Sequence, residues 1–347
     1  MERKLGHFGF ADLYAGTRRR HPHFLDAVNE LLDWSRIEQK LRKKLRRTGE
    51  NSPGVKAYPA LCMFKILLLQ TWYNLSDLAM EEALCDRYSF SRFAGISLDD
   101  DVPDHTTICR FRNLLAERKV LHKLLDEVNG QLSVKGKLVK SGCAVDATII
   151  SSASHPHKQI EVDMVVTDRE EEEKEGGNDY RVTVSYSRDT ETSWTYNGSR
   201  YHYGYKGHMA VDTGQGFILT SHITPANCSD TKEMKRLVQD SRLPVKTMVY
   251  ADKGYCSQAN RDELRKIRMK NGIMDKATRG HALFRRQKQR NRMISSIRGI
   301  VERGFGTLKR VYGLCRASYL GIGKVENEFL LAALAFNLKK AVSLPSP

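Results

Sequence analysis

The chain has 347 residues, 40% of them apolar, and carries a net charge of +16 at neutral pH. That length supports two domains with cores of their own, and the excess of cations selects a polyanion or an anionic surface as partner. A membrane is excluded as that surface. The longest apolar run, Leu61 to Tyr73, contains Lys65 and Gln70 and falls short of the roughly 20 residues a span needs, so it reads as a core helix.

The first residues, Met-Glu-Arg-Lys-Leu-Gly, have charges but no apolar region behind them, so a cytoplasmic protein is expected. Residues 1–54 form a basic helical segment: Arg18-Arg19-Arg20 is followed by a helical pattern from Phe24 to Leu45, closed by the turn residues Asn51-Ser-Pro-Gly54. Residues 55–135 carry apolar spacings of three and four with no alternating run, which predicts an all-helical domain for DNA binding or dimerisation. Within it, Pro103-Asp-His-Thr-Thr107 offers caps for a helix bearing Arg110 and Arg112, as a helix-turn-helix reader requires; a plain docking helix is the competing reading.

Composition changes after Gly136. Ala144 to Ile150, His208 to Asp212 and Phe217 to Ile223 read as strands, the last two joined by a Gly214-Gln-Gly216 hairpin signal. Lys232 to Val238 reads as helix, Thr247 to Ala251 as a buried strand, and helices dominate to Val342. Residues 136–347 thus form an α/β domain with mixed strands. An insertion at about 155–200 holds an acidic run, Asp168 to Glu175, whose simplest reading is a solvated loop. Seven scattered cysteines, none in a CxxC pair, argue against disulfides and structural zinc.

Three carboxylates stand out. Asp146 lies inside a strand run, where an isolated charge is costly unless paired or bound to metal. Asp252 follows the strand Met248 to Ala251, where open α/β sheets place ligands, although strand-end aspartates also cap the next turn. Glu302 lies in a helical segment with an apolar stripe at Ile297, Val301, Phe305 and Leu308, with Arg298 one turn before it and Lys309 two turns after. An exposed ion-paired face is the alternative for those three. Gly304 and Gly306 in the same segment each cost about 1 kcal/mol of helix stability and suit a close approach.

The strand aspartate Asp146, the Tyr250-Ala-Asp-Lys-Gly-Tyr255 signature and the Arg298, Glu302, Lys309 pattern resemble the DDE transposases of bacterial insertion sequences, in particular the branch numbered family five. The Leu75-Ser-Asp-Leu78 and Pro103 to Arg112 stretches resemble the helical domain these enzymes carry ahead of catalysis. The resemblance implies an RNase H-like mixed sheet flanked by helices, with Asp146, Asp252 and Glu302 as catalytic metal ligands. Relatives carry a tyrosine three residues before the arginine of the glutamate helix, where this chain has Ser295.

Such an enzyme would use two Mg²⁺ or Mn²⁺ ions about 4 Å apart to hydrolyse the element ends, then join the freed 3′-hydroxyls to target DNA. Double-stranded DNA is the expected partner, in a homodimer or higher oligomer. Expected DNA contacts are Arg298, Lys309, Lys253, Lys206, Arg110 and Arg112, the basic run Arg285, Arg286, Arg290 and Arg292, and Trp194 as a stacking platform. Lys206 and His208 at the strand entry have an equally plain structural reading. Two other functions fit the same residues: a DNA-binding protein that has lost catalysis, and a metal-dependent nuclease that cuts without joining.

Overall fold

A computed structural model describes residues 24–45, 57–154, 159–164, 180–185, 188–198 and 200–345, together with Leu5 and Pro156. The Arg18–Arg20 cluster, the Asn51–Gly54 turn, the acidic run Asp168–Glu175 and Tyr186 lie outside the described residues.

The helical pattern of Phe24 to Leu45 is two helices, α1 (Phe24–Leu31) and α2 (Trp34–Leu45). The break has a cause: the Asp33 N–H donates to Gln131 Oε1 at 2.8 Å, and Gln131 Nε2 donates to the Asp33 carbonyl at 3.1 Å. Five further helices follow: α3 (Ala60–Tyr73), α4 (Asp77–Asp86), α5 (Tyr88–Ala94), α6 (His105–Glu117) and α7 (Leu121–Val134). The apolar run is indeed a core helix, since α3 buries Phe64, Ile66, Leu67, Leu68, Leu69 and Trp72. No helix among the described residues is long and apolar enough to cross a membrane. Asp104 caps α6 by accepting from the Thr107 N–H at 2.6 Å, as its position ahead of His105-Thr-Thr107 predicts.

The sheet begins at β1 (Gly142–Ser151). Strands β2 (Gln159–Met164) and β3 (Tyr180–Ser185) form a separate antiparallel pair within the insertion. The chain returns through β4 (Ser193–Asn197), β5 (Arg200–Asp212) and β6 (Ile218–Pro225), then helix α8 (Asp230–Asp240), β7 (Met248–Ala251), helix α9 (Gln258–Lys266) and β8 (Lys270–Ile273). β5 pairs antiparallel with β1 on one edge and with β6 on the other, while β7 runs parallel to β1 and β8 parallel to β7. The order β6-β5-β1-β7-β8, three antiparallel strands followed by two parallel ones, is an RNase H-like mixed sheet.

Helices cover both faces because successive strand residues point opposite ways. Along β5, Lys206 faces α8, where it pairs with Asp230, whereas Gly207 and Met209 face the two long C-terminal helices, α10 (Arg285–Val311) and α11 (Ile322–Ser343). A Cβ on Gly207 would sit 2.8 Å from the Phe329 ring, so glycine is required where α11 crosses β5. Strand β8 departs from the helical expectation after Ala251. Its Lys-Asn-Gly-Ile sequence has no alternation, and it is held by the parallel ladder to β7, with Gly272 pressed against the Val249 carbonyl.

α11 is buried almost all round and packs on α1, α3, α6 and α7 as well as on β6. Trp72 of α3 donates to the Ala335 carbonyl at 2.9 Å, and Asn327 of α11 donates to the Arg112 carbonyl at 3.2 Å. One contiguous apolar core therefore runs from the N-terminal helices into the sheet.

Candidate active site

Asp146 stands in the middle of β1, opposite Met209 of β5, on the face that carries α10. Its Oδ1 accepts from the Ala147 N–H at 2.9 Å. Asp252 leaves the end of β7, the parallel neighbour of β1, and its Oδ1 accepts from the Lys253 N–H at 2.6 Å. It caps the short turn Lys253–Tyr255 and also faces the site, so the two readings of a strand-end aspartate are not exclusive here.

Arg298 joins them. Its Nη2 donates to Asp146 Oδ2 at 2.6 Å, and its Nη1 lies 3.7 Å from Asp252 Oδ1. The guanidinium is 9% exposed and its Nε has no partner among the described residues. Burial pushes the Asp146 carboxyl above its ordinary pKa; Arg298 pulls it back in part, and the charge of Asp252 adds to the rise. Two carboxylates thus share one guanidinium, leaving an uncompensated negative charge in a half-dry place.

α10 brings Arg298 there. Ile294, Val301, Phe305 and Leu308 bury its inner face on β1, β5 and β7, with Arg298 in the same stripe and Ile297 at its margin. Gly304 lets the helix approach, since a Cβ there would meet Met209 Cε at 3.1 Å, at the level of Asp146. Glu302 follows Arg298 by one turn and is exposed, and Lys309 is half-buried, with its pKa lowered by burial. No three His, Cys, Asp or Glu side chains among the described residues already form a metal cage. The donor chemistry nonetheless suits a hard divalent cation: two oxygen ligands from different strands converge with more negative charge than Arg298 balances.

A match to the family model described as the Transposase DDE domain spans residues 137–338, and a second, described as a transposase domain (DUF772), spans residues 14–114. The chain belongs to the DDE transposases. The transposase for insertion sequence element IS1106 of Neisseria meningitidis serogroup B is 40% identical over 237 residues, covering 67% of this chain and 77% of that one. Among solved structures, a piggyBac transposase synaptic complex with hairpin DNA aligns with TM-score 0.40 and 11% identity over 94% of this chain and 80% of that one. A Mos1 transposase paired-end complex aligns with TM-score 0.22 and 9% identity over 94% and 100%.

The basic residues of this transposase divide into two sets, and several expectations need correcting. Arg112 is buried on α6, with Nη1 donating to Asp77 Oδ2 and Nη2 to Gln70 Oε1, both at 3.0 Å, so it is a strut between helices and no reader of DNA. Lys206 is 15% exposed, 3.0 Å from Asp230 and donating to the Cys228 carbonyl. Arg290 ties α10 to β8 through the Ile273 and Asn271 carbonyls and Asp275. Arg298, expected on a phosphate, is engaged with the two aspartates. Arg110, Lys253, Arg285, Arg286 and Arg292 are exposed and have no acidic partner among the described residues. Trp194 is 53% exposed on β4, packed against Tyr203 at 5.2 Å between ring centroids.

One site feature escaped the sequence reading. Tyr255 is 1% exposed and its hydroxyl has no partner among the described residues; burial raises its pKa well above the ordinary value, reinforced by the charges of Asp230, Asp146 and Asp252. The repeated tyrosine of Tyr250-Ala-Asp-Lys-Gly-Tyr255 was the available signal. His208, by contrast, is structural: its ring stacks on His222 at 4.9 Å, and its Nε2 is 2.9 Å from Thr224 Oγ1.

Proposed function

We propose that this transposase binds the terminal inverted repeats of an insertion sequence, cuts the element ends and joins the 3′-hydroxyls to target DNA, with Asp146, Asp252 and Glu302 as the ligands of two Mg²⁺ or Mn²⁺ ions. The observation that carries this reading is the convergence of Asp146 and Asp252, from two parallel strands, on the single side chain Arg298. Such ions supply activation of the attacking hydroxyl and charge stabilisation at the leaving oxygen. The protein's part is positional. β1 and β7 fix the two aspartates side by side, and α10, seated through Gly304, carries Glu302 one turn beyond Arg298. Arg298 holds the two carboxylates together and is available to a scissile phosphate once their charge is otherwise met. In this proposal Lys253, next to Asp252, and Lys309, further along α10, are further phosphate contacts.

Residues 55–135 form the end-binding or dimerising unit in this proposal, with Arg110 outward on α6, and residues 136–347 the catalytic one. Trp194, exposed at the sheet edge, offers a face for an unpaired base near the cut end. Two ends must be brought together, so the working form is a dimer or larger, acting on DNA in the cytoplasm.

The test is a supercoiled-plasmid assay carrying the element ends, with Mg²⁺ or with EDTA, comparing wild type with Asp252→Ala. Joined products that need metal and vanish in the variant are expected. Cutting without joining would make the protein a nuclease, and end binding without cutting in either protein would make it a DNA-binding factor only.

A further inference from the structure

Beyond the carboxylate site, α10 carries a second pattern on its outer face. At 3.6 residues per turn, Arg285, Lys288, Arg292, Ser296, Gly299, Arg303, Gly306 and Arg310 fall on one stripe, opposite the buried Ile294, Val301 and Leu308. Its five cations are all exposed, and none has an acidic partner among the described residues. They form two groups, Arg285, Lys288 and Arg292 before the site and Arg303 and Arg310 after it, separated by a stretch of small side chains. Core packing does not demand the glycines of that stripe: a Cβ on Gly299 would meet only Arg303 Nη1 at 3.9 Å, and on Gly306 only Arg310 Nη2 at 3.5 Å. The outer face is thus cationic at both ends and low in the middle, on the helix that also bears Glu302.

We propose that this face is a track for duplex DNA running past the reacting site, and that α10 sets which phosphates are gripped. The proposal rests on the transposase reading above only for the position of the cut. At about 1.5 Å per residue, Arg292, Lys288 and Arg285 lie roughly 15, 21 and 26 Å from Glu302 along the axis, and Arg310 about 12 Å on the other side. With about 3.4 Å of axial rise per base pair, the first group reaches the backbone phosphates that face the helix, on either strand, about four to eight base pairs from the cut. The second reaches those within about four. The footprint is therefore asymmetric, and Arg303 and Arg310 become DNA contacts alongside the basic run.

Two variants test this: Arg285→Gln, Lys288→Gln, Arg292→Gln together, and Arg303→Gln with Arg310→Gln. Binding of a duplex containing one end of the element and its flank is measured against salt, with phosphate-ethylation interference on the same duplex. Each lost contact should lower the slope of log affinity against log salt by about 0.9, so the triple variant should lose about three units and the double about two. The triple variant should also lose the far interference and keep the near, and the double the reverse. Wild-type slopes, or an unchanged interference pattern in both variants, would overturn the track. Failure of wild type to cut any DNA with metal, while the slopes fall as stated, would instead overturn the transposase chemistry and leave the track standing.

Discussion

Arg110 and Arg112 sit two positions apart on α6 and end in opposite surroundings, one in solvent and one braced between Asp77, Gln70 and the Tyr319 ring at 5.2 Å. Removing Arg112 leaves Asp77 without its counter-charge in a largely enclosed place. Arg112→Ala should therefore cost about 3 kcal/mol of stability, read as a lower urea midpoint, while folded variant protein binds DNA as wild type does. Arg110→Ala should do the reverse, with an unchanged midpoint and weaker binding at low salt. The sequence supplied both arginines but not their partners. Asp77 lies 35 residues upstream, and only the packing of α4 on α6 brings it to Arg112. The same limit applies at the candidate site, where Asp146, Asp252 and Glu302 are readable as residue types in suggestive places, whereas the bridging position of Arg298 is not.

Elements were legible where they were long and periodic. The core helix α3, the cap of α6, the β5–β6 hairpin and the helix bearing Glu302 all follow from local pattern, while β8 depends on its neighbour β7 and leaves no local trace. Within α10 the glycines separate by surroundings: Gly304 is needed against Met209, whereas Gly299 has room for a side chain. Gly299→Ala should raise stability by up to about 1 kcal/mol through helix propensity alone and weaken DNA binding if the outer face carries a backbone at close range. A lowered unfolding midpoint would show that Gly299 is a packing residue after all. The β5–β6 ladder supplies a pH dependence. His208 and His222 pair across it, both buried, and burial, with nearby positive charge, pushes their pKa values down to about 3 and about 4. In the unfolded chain they protonate near 6.5, so between about pH 3 and 6.5 the unfolded state binds more protons than the folded one. Stability should be level above pH 7 and fall as the pH drops through 6 toward 4. A double His208→Gln, His222→Gln variant should show a shallower fall over that range in unfolding titrations.

At the scale of the molecule, α11 decides how the two regions behave. Residues 55–135 and 136–347 read as separate domains from composition. Yet the last helix inserts into the helical region, and the junction is polar as well as apolar. Asn337 of α11 accepts from the Ile218 N–H at 2.9 Å and donates both to the Ile218 carbonyl at 2.8 Å and to Asn129 Oδ1 of α7 at 2.9 Å. Asn129 in turn donates to the Ile218 carbonyl at 3.0 Å. None of this was visible in the sequence, where two asparagines in helical stretches carry no pairing information. The consequence is cooperative: neither region completes its core without α11, so the full chain should unfold in one transition. Heating followed by far-ultraviolet and near-ultraviolet circular dichroism should give coincident curves, because Trp34 and Trp72 report on the helical region and Trp194 on the sheet. Asn337→Ala leaves the buried Ile218 N–H unpartnered, which should cost about 1–3 kcal/mol and move both curves down together. Two separated transitions in wild type, or a shift confined to one probe in the variant, would mean that the regions fold independently and that α11 is a tether between them.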